Sequence, residues 1–217
     1  MGYYTILRET QDEFEERKSI FIGHIKRVNT EEEAKAFVDQ KKEKYKDATH
    51  NVYAYIIGEN AGIQRYSDDG EPKGTGGIPA LEVLKKNDLR NVAVVVTRYF
   101  GGIMLGAGGL TRAYSKGAAI AVKAGEIVEK VLGSAVIFDM SYDMLGKVQY
   151  LCATKEWHIE DTQYTDTVSV ILYIENHKIE EVVTAMSEVS SGKIEYLVED
   201  EEFFFKQENR LYREKDV

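Results

Sequence analysis

Three carboxylates stand within four residues at Asp68, Asp69 and Glu71, followed by Pro72, Lys73, Gly74, Thr75, Gly76 and Gly77. Carboxylates this close can ligate a hard cation such as magnesium, or repel one another until one stays protonated. They can equally make Asx turns, and Asp69-Gly70 is a turn dipeptide. The ligand spacing of an EF-hand is missing. A second segment, Thr97–Tyr114, runs from an apolar strand through a glycine loop into a helix. Backbone N–H groups at such a helix start bind anions. Gly101, Gly102, Gly106, Gly108 and Gly109 would let a phosphate approach the backbone. Arg98 at the strand end, Arg112 in the first helical turn and Lys116 one turn on would contact it, with Lys73 assisting. Tyr99 and Tyr114 are the candidates for stacking on bases, although Tyr114 falls on the helix's apolar side with Leu110, Gly117 and Ala121. The competing reading is that the glycines permit close helix–strand packing and that Arg112, Lys116 and Lys123 form a solvated stripe. Neither segment is a nucleotide fingerprint. Gly-x-x-x-x-Gly-Lys-Ser/Thr is absent, and Thr111 replaces the third glycine after Gly106-Ala107-Gly108.

Other reactive side chains are scattered. His50 sits at a strand entrance and could act as a base or as a hydrogen-bonded turn residue. His24, His158 and His177 lack partners at metal spacing. Cys152 lies in a helical apolar stripe and reads as core. No catalytic residue is assigned by type and spacing alone. Under an enzymatic reading, Asp68, Asp69 and Glu71 would hold magnesium or act as base; otherwise no cofactor is expected.

The elements that must position these residues follow from periodicity. Tyr3–Arg8 and Ser19–Val28 read as strands. Thr30 and Glu33 form a capping box for a helix reaching about Tyr45. Val52–Ile57 and Ile63–Tyr66 are strands, Pro79 opens a short helix, and Val92–Tyr99 is apolar on both faces, as a central strand is. A helix then spans about Gly109 to Lys123. Further on come strand Ser134–Asp139, helix Asp143–Thr154, strands Trp157–Tyr164 and Val168–Glu175, helix Lys178–Val189 and strand Ile194–Phe205. That βαββαβ order is ferredoxin-like, so the fold class is α+β. The expected domains are 1–131 and 132–217, with a charged, loose tail from Lys206.

The whole chain has 217 residues and a net charge of −9, too acidic for a histone-like coat. The charge is uneven: residues 131–217 hold 18 acidic and 8 basic side chains, residues 60–123 hold 5 and 9. No apolar run approaches the ~20 residues of a membrane span. No secretory leader is visible, and a single cysteine builds no disulfide framework, so a cytoplasmic protein is expected.

The two loops, read with Ala48-Thr49-His50-Asn51, Ala54 and Tyr55, resemble the YigZ/IMPACT family over essentially the whole chain. Two positions depart from it: Val52 where many members have cysteine, and Gly76 where alanine is more usual. The resemblance implies a first domain like the second domain of small-subunit ribosomal protein five. It implies a second domain like the fifth domain of elongation factor G. Both parent folds touch the ribosome, which makes RNA or the ribosome the expected partner and translation the expected setting. The partner of the extra N-terminal domain in eukaryotic members is not expected here. The competing implication, from small-molecule kinases that share the first fold, is an enzyme for a phosphorylated or nucleotide ligand.

Overall fold

The computed structural model describes residues 2–214. The chain divides into two compact units, Tyr3–Val128 and a second from Glu129 on.

The first unit begins with strands β1 (Tyr3–Ile6), β2 (Thr10–Glu16) and β3 (Ser19–Arg27). The β2–β3 turn is two residues long, Arg17 and Lys18, with φ of 48° and 63°. Positive φ at both central residues is the type I′ geometry that matches strand twist. Helix α1 (Glu31–Lys44) is capped by Thr30 as expected, Glu33 N donating to Thr30 Oγ1, while Glu33 Oε2 accepts from Asn29 N, one residue before the cap. Strands β4 (His50–Ile57) and β5 (Ile63–Ser67), helix α2 (Gly77–Lys86), strand β6 (Val92–Tyr99) and helix α3 (Gly106–Gly125) follow.

The sheet order is β2-β3-β6-β4-β5, with every pairing antiparallel. Alternation splits β6 cleanly. Val92, Val94 and Val96 pack with Ala80 and Leu84 of α2 and with Leu110, Tyr114 and Ala118 of α3. Ala93 and Val95 pack on the other face with Phe37 and Val38 of α1. Arg98 therefore lies on the α2–α3 side. α3 comes close enough that a Cβ on Gly23 would sit 2.1 Å from Gly117 O.

Beneath α1, His24 is fully buried, with Nε2 3.3 Å from Thr97 Oγ1, and Thr97 Oγ1 donates to Asn51 Oδ1. His24 Nδ1 has no protein partner. Burial, helped by Lys41 and Lys44, lowers the His24 pKa from 6.5 to about 4. The unfolded chain thus binds a proton that the folded one refuses between pH 6.5 and 4, so stability falls as pH drops through that window. Urea melts at pH 7 and pH 4.5 should differ by up to about 3 kcal/mol from this group, and His24→Leu should remove that part.

The second unit contains most of β7 (Ile127–Met140), then α4 (Tyr142–Lys155), β8 (Asp161–Tyr164), β9 (Val168–Glu175), α5 (Ile179–Ser190), β10 (Glu195–Val198), β11 (Glu202–Gln207) and β12 (Arg210–Tyr212). β7 is flanked by β9 on one edge and by β10 and β11 on the other; β8 lies outside β9, and all these pairs are antiparallel. That is the βαββαβ arrangement expected. Val136, Phe138, Val170 and Leu172 pack with Val148 and Cys152 of α4 and Met186 of α5, and Trp157 packs at the margin. Cys152 is core as expected, and burial raises its thiol pKa to about 11.

Three expectations need correction. The strand expected from Trp157 begins only at Asp161, because Trp157 and Ile159 pack onto the core instead. The strand expected over Ile194–Phe205 is two strands interrupted at Glu199–Glu201, although both halves pair with β7. The tail from Lys206 is not loose through Tyr212: β11 and β12 form a hairpin that buries Leu211. Residues 215–217 lie outside the described chain. Among the described residues, no helix is long and apolar enough to cross a membrane.

Candidate functional site

The acidic loop between β5 and α2 is tied down by its own carboxylates. Asp68 accepts from the N–H groups of Gly74 (2.7 Å), Gly76 (2.9 Å) and Gly77 (2.8 Å), serving the orphan donors at the start of α2. Burial pushes the Asp68 pKa up, but these backbone bonds outweigh it and hold the carboxyl below its usual value. Asp69 accepts from Asn51 N at 2.7 Å and from Lys42 Nζ at 2.6 Å. Its carbonyl lies 2.8 Å from His50 Nδ1.

Glu71 points inward. Its Oε1 accepts from Arg98 Nη1 at 2.6 Å and from Tyr114 OH at 2.8 Å, with His50 Nε2 at 3.8 Å. Arg98 and Glu71 are both under a tenth exposed, and Tyr114 is fully buried. Burial, then the Glu71 charge, raises the Tyr114 pKa far above the usual phenol value. Arg98 Nη2 reaches Ser19 Oγ, which also accepts from Gly101 N. The planar guanidinium lies 5.4 Å from both the Phe21 and Phe100 rings.

The three carboxylates therefore face three different sets of donors. Among the described residues, no group of three or more His, Cys, Asp or Glu side chains is placed to hold a metal ion. The magnesium cage conceived for Asp68, Asp69 and Glu71 is not assembled in this arrangement, because each carboxylate is turned to its own N–H, ammonium or guanidinium donors. Arg98 is likewise withdrawn from the surface, and Tyr114 is a buried donor and not a stacking platform. Tyr99 is half-buried with its OH on Asp47 at 3.0 Å.

What faces solvent is a cleft of ≈ 270 Å³ between the β2–β3 hairpin and the first turns of α3. Arg17, Arg112 and Lys116 line it with Phe14, Glu16 and Leu105. Lys116 Nζ sits 4.1 Å over the Phe14 ring, and Arg17 Nη1 reaches Met104 O. Gly102, Gly106 and Gly108 are exposed at the loop and helix start, with open space where a Cβ would lie at Gly102 and Gly106. Gly102 and Gly106 have φ of +82° and +71°, the left-handed region that favours glycine. Gly101 and Gly109 are packing glycines, the first against the Lys18 carbonyl and the second against Leu105. Lys73 is exposed but does not line the cleft. The loop's glycines thus divide into packing positions, Gly101 and Gly109, and exposed ones, Gly102, Gly106 and Gly108. Arg17 was not singled out from the sequence, since no Asn-Gly or Asp-Gly marks its turn; only its place between β2 and β3 would have revealed it.

The Impact N-terminal domain matches residues 17–122, and a domain of unknown function (DUF1949) matches residues 138–193. The family member YvyE of Bacillus subtilis is 41% identical over 88% of this chain and 88% of its own length. The chain belongs to the IMPACT family. YigZ of Escherichia coli, another IMPACT family member, is 31% identical over 85% of the chain and 92% of its own. The zebrafish Danio rerio protein named IMPACT is 38% identical over 42% of the chain and 30% of its own length. A solved structure described only as a hypothetical protein superposes with a TM-score of 0.59 at 28% identity, covering 92% of this chain and 98% of that one.

Val52 and Gly76, the two positions expected to depart from the family pattern, lie against each other. A Cβ on Gly76 would lie 2.9 Å from Val52 Cγ2 and 3.1 Å from Val52 Cγ1. With valine at 52, a Cβ at 76 would crowd both of its methyl groups. Gly76→Ala alone should therefore destabilise by about 1–2 kcal/mol through overpacking, and adding Val52→Cys should recover most of the loss. Thermal melts of the two single variants and the double variant check this; purely additive shifts would refute the coupling.

Proposed function

We propose that this IMPACT-family chain is a non-catalytic RNA-binding protein that works with the ribosome, in the cytoplasm, as a regulator of translation. The observation that carries the reading is the exposed cleft in which Arg17, Arg112 and Lys116 gather at the glycine-opened start of α3. Phosphates attract such a basic cluster regardless of base sequence, and N–H groups at a helix start add to it. Phe100, Ile103 and Met104 are exposed on the adjoining loop and offer apolar contact for an unstacked base. Lys73 and Tyr99 are accessory contacts in this reading. Arg98 and Tyr114 act from inside, holding the β6 end and α3 in place.

A salt titration against ribosomes and a short single-stranded RNA tests the reading. Replacing Arg17, Arg112 and Lys116 by alanine should weaken binding and reduce the slope of log K against log salt by about 2, at ~0.7 per lost phosphate contact on single strands. An unchanged slope refutes direct phosphate contact. Gly108→Ala adds a separate arm. Its Cβ would meet only the tip of Arg112, at 4.0 Å, so the helix should gain about 0.5–1 kcal/mol. The same methyl would obstruct a phosphate approaching the helix start, so stability should rise while affinity falls.

A further inference from the structure

Strand β10 is the exposed edge of the second unit's sheet. Among the described residues it pairs with β7 alone, and all four of its residues are exposed, with Tyr196 at 54%, Leu197 at 60% and Val198 at 38%. Three consecutive apolar residues on an open edge are unusual, because natural edges are blunted by charge, proline or cover.

The backbone and the flanking groove are both ready for a strand. Glu199 N donates to Ala135 O, so Glu199 faces β7. Alternation along an antiparallel ladder turns Leu197 and Glu195 the same way and directs the N–H and C=O groups of Tyr196 and Val198 to the free side. Tyr196 stands opposite Phe138 and shares its face, with ring centroids 6.3 Å apart. On that face a groove of ≈ 430 Å³ runs between β10 and α5, lined by Tyr196, Ile194, Phe138, Val183 and Met186. Leu197 and Glu195 lie on the other face.

Charge selects the occupant. Residues 193–202 contain Glu195, Glu199, Asp200, Glu201 and Glu202 against Lys193 alone. Arg213 engages Glu199 and Glu202, while Glu195 and Asp200 remain exposed. A second copy pairing antiparallel about Leu197 would set Glu195 opposite Glu199, and like charges directly opposite are destabilising. We propose that the β10 edge takes up an extended polypeptide segment of another protein, in which apolar residues alternate with lysine or arginine. The apolar side chains enter the groove beside α5, the basic ones lie along Glu195, and the backbone bonds to Tyr196 and Val198.

The probe is the peptide Ac-KVKIKVK-NH2, added to the full chain and followed by residue-resolved amide exchange. Exchange at the Tyr196 and Val198 amides should slow about tenfold, while the already paired Leu197 amide changes little. Glu195→Lys should weaken binding. Val198→Pro removes an outward N–H without touching the β7 ladder and should abolish it. Two peptide analogues, N-methylated on alternate residues in either register, leave the protein intact; the one blocking its edge-facing amides should not bind. Unslowed exchange at Tyr196 and Val198, or equal binding by both analogues and the parent, would overturn the proposal. So would protection of those amides that rises with protein concentration without peptide, which assigns the edge to a second copy.

Discussion

Glu71→Ala should weaken the first domain by about 3–5 kcal/mol, a large share of the ~5–15 kcal/mol that holds an ordinary domain folded. The substitution strands the Arg98 guanidinium without its 2.6 Å partner and the Tyr114 hydroxyl without its acceptor, in a place water hardly reaches. Removing one member of a buried pair costs far more than replacing both. Arg98→Met should therefore also be severe, and Glu71→Leu with Arg98→Met should be milder than the sum of the single losses. Urea unfolding followed by far-ultraviolet circular dichroism gives the cycle. Additive losses would show that Glu71 and Arg98 act independently and would dismantle the network described around them.

Gly101→Ala should cost about 3 kcal/mol, at the top of the overpacking range. A Cβ at that position would sit 1.9 Å from Lys18 O and 2.5 Å from Ser19 N. Both atoms are backbone at the tight β2–β3 turn, so no rotamer change relieves the clash. The turn must move, and Arg17 moves with it. RNA affinity should then fall even though no basic residue has changed. On the proposed function, the contrast with Gly108→Ala is sharp: the packing glycine loses stability and binding together, while the exposed one gains stability and loses binding. Equal, small effects on stability at both glycines would contradict the geometry.

Much of this architecture was legible because its signals are local. The Thr30–Glu33 cap, the doubly apolar β6 and the helical stripe of α3 all rest on periods that the chain spells out. Strand β2 was not legible: of Thr10–Glu16 only Phe14 is apolar, and it earns its place by stacking on Phe21 across the hairpin at 5.2 Å. The candidate site was legible only in part: Arg112 and Lys116 stood out, Arg17 did not, and the roles of Asp68, Glu71 and Arg98 were hidden. Arg98 lies 27 residues beyond Glu71, and residue type alone cannot tell a carboxylate offered to a metal from one answering three N–H groups. Burial decides that, and burial of Arg98 follows from which face of β6 meets α2 and α3.

The chain has one tryptophan and one cysteine, and both fall in the second domain: Trp157 at the margin of its core and Cys152 within it. An indole emission curve or a thiol-labelling rate consequently watches only that half of the molecule. Variants around Glu71 or Gly101 could melt the first domain while both optical and chemical reporters stay silent. Tryptophan introduced into the first domain, at half-buried Tyr53 for example, would give each half its own voice and show whether the two domains melt together or one at a time.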